Sequence, residues 1–249
     1  MKTDLRHLMA YLRAMEYSME ETPAVDAPKP IITISRQRGG LGTIIAHKTA
    51  DFLTQQSNGK EPWVVVDRSL AQRVMDDHHL SERLSRFFTE GQTASIQDRV
   101  EEMLGLQPSR WTVVEKMAQT MMHLAEIGRV IFVGRAANLV TAHLPQAYHV
   151  RVIGSLERRV QRVMESEKLS KADAEALVRK SDYDRSHFVS NYFHVKPDDA
   201  TLYDLTINTD RVSAEKAVLL ILQLLPKSGL HRTEEEKISH LHIEALESP

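Results

Sequence analysis

The stretch Ile31-Ile-Thr-Ile-Ser-Arg-Gln-Arg-Gly-Gly-Leu-Gly-Thr-Ile-Ile-Ala46 constrains the fold more than any other part of the chain. Ile31 to Ile34 have the β-branched density of a short buried parallel strand, and from Thr43 onward the pattern becomes a helix with Ala46, Ala50 and Leu53 on one face. The turn between them contains Ser35, Arg36, Gln37, Arg38, Gly39, Gly40 and Gly42. Its glycines tolerate positive φ and allow backbone N–H groups to approach a ligand closely. The turn opens onto the positive end of a helix dipole, where an anion is favoured. It reads as a phosphate cradle; the alternative is an ordinary strand-to-helix connection with surface arginines.

The cradle departs from the P-loop pattern GxxxxGK[ST], whose Lys reaches the β/γ-phosphates and whose hydroxyl holds Mg²⁺. No Lys follows the last glycine: Gly42 and Ile44 stand where that loop would carry its Lys and Ser/Thr. The positive charge that meets a bound phosphate must therefore come from elsewhere in the chain.

A chain of 249 residues fits one α/β unit with appendages. Residues 1–29 read as a helix and linker, 30–226 as the folded domain and 227–249 as a charged tail. The formal net charge of -2 gives no basic field for nucleic acid, and the absence of cysteine removes disulfides, thiolate catalysis and Cys-based zinc sites. No apolar run approaches the length of a membrane span, and the N-terminus lacks the order of a signal peptide. The expectation is a soluble, cytoplasmic protein with no membrane or nucleic-acid partner and an oligomeric state left open.

Leu5, Leu8, Met9, Leu12, Met15 and Met19 have helical spacing, and the prolines from Pro23 to Pro30 then break the helix. Trp63 to Val66 reads as a second strand ending at Asp67 and Arg68, and Asp67 serves equally well as a strand-end ligand group or a helix cap. From Ser69 to Gly128 the pattern is helical, more than a crossover requires, with a long helix from Pro108 whose Val114, Met117, Met121 and Leu124 face inward. Val130 to Val133 is a third strand followed by Gly134 and Arg135; Ala147 to Ile153 and Leu202 to Ile207 supply a fourth and fifth. The alternation predicts a parallel sheet with helices on both sides.

Between the last two strands, Ser155 to Lys168 is amphipathic, with Leu156, Val160, Val163 and Met164 inward and Arg158, Arg159 and Arg162 on the outer side. Ser170 starts a second helix through Asp182 and Arg185, which are spaced to pair. Such a charged pair of helices is either a solvated face or a lid that brings cations to a transferring phosphoryl group. His231, His240 and His242 in the tail lack the spacing of a metal site.

Taken together, IITISRQRGG, Asp67, FVGRAANLV, YHVRVIGSLERRVQRV, KSDYDRSHF and LYDLTINTDRVSAEKAVLLI resemble the cytidylate kinase-like family, a divergent branch of P-loop nucleoside-monophosphate kinases, from about Pro30 to Leu225. The resemblance implies a P-loop kinase-like three-layer sandwich with a five-stranded parallel sheet, a helical acceptor-binding insert and a lid. It implies ATP and Mg²⁺ as cofactors and a small-molecule nucleotide, CMP-like, as acceptor. Ser35 through Thr43 would bind the nucleotide phosphates, and Asp67, Arg68 and Arg135 the acceptor. Arg158, Arg162, Asp182 and Arg185 would be catalytic lid residues, with Asp182 holding Arg185; no protein metal ligand is expected. Tyr203, Asp204, Asn208 and Thr209 would lie near the adenine. The chain departs from the family pattern SRQxGSGGRxIA at Leu41 and Thr43, and Ala136 replaces the acid of the GRD motif. Two alternatives of other classes remain: a degenerate P-loop pseudokinase acting as a nucleotide-sensing or interaction module, and, on Gly40, Gly42 and Asp67, a dinucleotide-binding oxidoreductase.

Overall fold

The computed structural model describes residues 28–67 and 110–226. The readings of the N-terminal helix, of Arg68, of the insert from Ser69 to residue 109 and of the tail histidines lie outside them.

Five parallel strands form one sheet in the order β2-β3-β1-β4-β5: β1 (Ile31–Arg36), β2 (Val64–Val66), β3 (Val130–Val133), β4 (Ala147–Ile153) and β5 (Leu205–Asn208). Central β1 pairs with β3 on one side and β4 on the other, through Ile32↔Ile131 and Ile32↔Tyr148. All strands end on the same edge, so the loops that leave their carboxyl ends gather there.

Strand alternation divides the core into two layers. Ile32, Ile34, Ile131, Val133, Val150 and Val152 pack against α1 (Gly42–Gln56) and α6 (Ala214–Leu224), through Ile45, Ala46, Ala50, Ala217, Val218 and Ile221. Ile31, Val130, Phe132 and Ala147 pack on the opposite face against α2 (Arg110–Ile127) and α3 (Ala137–Val140), using Met121, Ala125 and Ala137. The inward methionines of the sequence reading are core filler, and α2 stops at Gly128, φ +76. The three-layer α/β architecture is the expected one. The fifth strand is shorter than its apolar run, because residues 200–202 form a 3₁₀ turn capped by the Asp199 carboxylate before β5 begins.

The two helices between β4 and β5 form a hairpin with its own core. In α4 (Leu156–Glu167) Val160 and Val163 meet Ala174 and Val178 of α5 (Lys171–Phe193), and Leu156, Met164, Leu169 and Leu177 border them. Ser155 caps α4 by accepting from Arg158 N, and Ser170 caps α5 by accepting from Asp173 N. Because the apolar face of α4 is spent on α5 rather than on the sheet, the hairpin stands over the strand ends. Its arginines do not all face outward as the amphipathic pattern suggests: Arg158 is exposed, but Arg159 is buried.

Candidate functional site

The site is built around the turn from β1 to α1. Gln37 N–H donates to Val152 O, and Gly40 N–H to Gln37 O, which folds the turn back over the end of β4. The Gln37 side chain then accepts from Gly154 N–H at 3.1 Å. Gly39 has φ +73, and a Cβ there would lie 2.5 Å from the Arg159 carbonyl oxygen, so only glycine fits. Leu41, the residue before α1, also adopts the left-handed conformation, φ 67. This costs a branched side chain energy, which packing of Leu41 against the core beneath α1 offsets.

Arg36 explains the glycine at the place of the missing lysine. A Cβ on Gly42 would lie 2.6 Å from Arg36 Cβ, and one on Gly134 would lie 1.8 Å from Arg36 Nη1. The Arg36 side chain therefore lies with its stem against Gly42 and its guanidinium against Gly134, and a side chain at 42 would occupy the space that stem uses. Thr43, directly after Gly42, places a hydroxyl-bearing residue on the first turn of α1. By P-loop spacing the hydroxyl position falls on Ile44; both residues line the same cavity.

That cavity, about 590 Å³, is lined by the turn from Arg36 to Ile44 and by Arg162, Glu165, Glu167 and Arg185 of the hairpin. A second cavity of about 360 Å³ lies between α3, α5 and the strand ends, lined by Ser35, Arg135, Arg151, Asp182, Tyr183 and Tyr203 among others. Arg36, Gln37 and Arg185 line both cavities. Strand alternation puts Arg151 on the second cavity's side of β4, where it pairs with Asp198, lies 5.3 Å from the centre of the Tyr203 ring and donates to its hydroxyl at 3.3 Å.

Of the expected acceptor residues, Arg135 lines the second cavity from a turn in which Gly134, Arg135 and Ala136 all have positive φ. Such strain persists only where surrounding structure determines it. Ser35 donates to Asn138 Oδ1 at 3.3 Å, tying that turn to β1. Asp67 faces His47 Nε2 at 3.7 Å and lines neither cavity.

Of the expected lid residues, Arg162, Asp182 and Arg185 converge on the turn, and Arg158 does not. Arg162 donates to Gly39 O at 3.2 Å, to Thr209 Oγ1 at 3.0 Å and to Thr209 O at 2.8 Å. Asp182 Oδ1 accepts from Arg185 at 3.3 Å, as the spacing suggested, and also from Arg38 N–H at 2.8 Å. The Arg38 side chain pairs with Glu167. The sequence places Arg159 on the outer side of α4, whereas it is buried, and gives no role to it or to Arg151. The first stands between two other arginines of one helix, and the second sits in a strand where His149 is the other strongly polar residue, so a charged side chain inside a strand is the available signal.

Asp210 follows Thr209. Its Oδ2 accepts from Ser155 N–H at 2.8 Å, and its buried Oδ1 has no hydrogen-bond partner among the described residues. Hydrogen bonds from Ser155 hold this carboxyl below the usual Asp range, against the effect of burial, with help from Arg162 and Arg158.

A helix start and arginines from three segments line the larger cavity together with Glu165 and Glu167, and the helix start and the guanidinium groups favour an anion there. The donor set fits a protein-bound Mg²⁺ less well. No three Asp, Glu or His side chains converge among the described residues, and Glu167 is engaged by Arg38.

The model of the cytidylate kinase-like family matches residues 31–211. No curated protein matches the chain. Among solved structures, an uncharacterized protein from Eubacterium ventriosum shares 22% identity, with 79% of this chain and 98% of that one covered and a TM-score of 0.54. A shikimate kinase from Bacteroides thetaiotaomicron has 13% identity, coverage of 78% and 97% and a TM-score of 0.42. A gluconokinase from Sinorhizobium meliloti has 12% identity, coverage of 79% and 93% and a TM-score of 0.43.

Proposed function

The chain belongs to the cytidylate kinase-like family, and from that premise we propose that it is an ATP-dependent phosphotransferase acting on a small phosphorylated acceptor, a nucleoside monophosphate such as CMP in the first instance. The observation that carries this reading is the pair of cavities meeting at Arg36 and Arg185. A triphosphate held by the glycine turn in the larger cavity would direct its γ-phosphoryl toward the smaller one. An acceptor phosphate beside Arg135 would lie on the other side of the same two guanidinium groups.

Phosphoryl transfer is catalysed mainly by positioning and by cations placed where charge develops. In this chain Arg36 and Arg185 take the position between donor and acceptor, and Arg36 takes the space opened by Gly42. Arginine grips phosphate oxygens in pairs and stays charged at all working pH values, so it is a competent substitute for a P-loop lysine. Mg²⁺ would be carried mainly by the phosphates, shielding their charge, with Thr43 the nearest hydroxyl-bearing residue on α1.

Thermal shift with ATP and Mg²⁺, with each nucleoside monophosphate and with NAD tests the assignment. A ligand at 100 times its dissociation constant stabilises by about 2.7 kcal/mol. ATP should raise the melting temperature, and Arg36→Ala should weaken the response. Labelled ATP with a panel of acceptors then identifies the product. Absence of both a response to any triphosphate and transfer to any acceptor refutes the enzymatic reading in favour of a pseudokinase.

A further inference from the structure

Arg159 is buried, with its side chain 7% exposed, in a helix whose other arginines are more exposed. Its Nε donates to Gly154 O at 2.9 Å, and its Nη1 donates both to Arg38 O at 3.0 Å and to Asp182 Oδ2 at 2.6 Å. The other oxygen of the same carboxylate accepts from Arg38 N–H at 2.8 Å. One ion pair, made of a residue from each hairpin helix, thus holds both the N–H and the C=O of a single turn residue. One helical turn further along α4, Arg162 holds the next carbonyl, Gly39 O, at 3.2 Å.

These bonds have a geometric consequence. A turn that binds phosphate through its amides must keep its carbonyls away from the anion. Here two successive carbonyls, of Arg38 and Gly39, are pulled toward α4 by guanidinium groups, and the backbone of Gly39 is seated against the carbonyl of Arg159 itself. We infer that Arg159 and Asp182 form a latch that positions the phosphate-binding turn from the hairpin, so that Arg159 is a positioning residue and Asp182 acts on the turn as well as on Arg185. The role in binding rests on the reading of the turn as a triphosphate site.

Two measurements on the full chain test the latch. The first, hydrogen exchange without ligand, follows the segment 36–44. Arg159→Leu should accelerate exchange there at least tenfold while leaving the amides of β3 unchanged, and Asp182→Asn should act in the same direction with a smaller effect. Unchanged exchange in both variants overturns the proposal. The second compares ATP with adenosine by calorimetry. Arg159→Leu should weaken ATP at least tenfold and leave adenosine unaffected, and Arg159→Lys should recover part of the loss. Equal weakening of both ligands, without rescue by Lys, reduces Arg159 to a general structural residue and overturns the proposal. A wild-type chain that binds no triphosphate would instead refute the phosphate reading, while the exchange comparison still decides whether the latch exists.

Discussion

Replacing Gly39 by alanine is the sharpest test of how the turn is seated. Two costs add. The first is conformational: φ is +73, and a left-handed L-residue costs about 1–2 kcal/mol. The second is steric. The new Cβ would stand 2.5 Å from the Arg159 carbonyl oxygen and 3.1 Å from its Cα, both backbone atoms of a capped helix that cannot rotate out of the way. Overpacking of this kind costs about 1–3 kcal/mol. The sum, about 2–5 kcal/mol, corresponds to a fall of about 4–20 °C in melting temperature for a domain of this size. Gly59→Ala is the internal control, because Gly59 has φ +76 and no atom within 4 Å of its ideal Cβ. It should cost only the conformational share, about 1–2 kcal/mol. Urea unfolding of both variants beside the parent measures the steric difference directly. Equal destabilisation would mean that the turn is not packed against α4, and the account of the site would fail with it.

Gly134→Ala should separate function from stability: its Cβ would collide with Arg36 Nη1 at 1.8 Å, a flexible side-chain end that moves cheaply. The melting temperature should therefore fall less than for Gly39→Ala while the ATP-induced shift shrinks as much as in Arg36→Ala. The acid limb of stability should depend on Asp210. Its folded pKa lies below the unfolded value of about 3.9, so its contribution is complete above that value and is lost as pH falls through the folded one. Asp210→Asn should flatten the curve below about pH 4, read by thermal melts across pH. Glu215 follows the same sign, since its hydrogen bond to Lys48 holds it from 4.5 down to about 2, but the pair is open to solvent and Glu215→Gln should change the melt little. Ser170→Ala removes the cap of α5 and should cost about 1 kcal/mol, visible as faster exchange in the first turn of that helix.

Local chemistry alone was enough to write much of this fold. Runs rich in β-branched residues marked β1 and β3, because strands buried on both faces are mostly apolar, and alternating valines marked β4. Glycine spacing marked the turn, and Ser155 and Ser170 marked helix starts, because capping depends on residues three apart. The charged helices gave up the pairing of Asp182 with Arg185 for the same reason. Helical period identifies an apolar face but not the element that covers it. Once α5 covers that face of α4, Arg159 is turned into the turn and Arg158 away from it, a distinction that the sequence of consecutive arginines does not contain. Likewise Gly42 reads as a lost lysine in one dimension. Only the tertiary structure, which sets α1 beside the stem of Arg36 and brings the end of β3 beside its guanidinium, shows that Gly42 and Gly134 leave room for Arg36 at the junction of the two cavities.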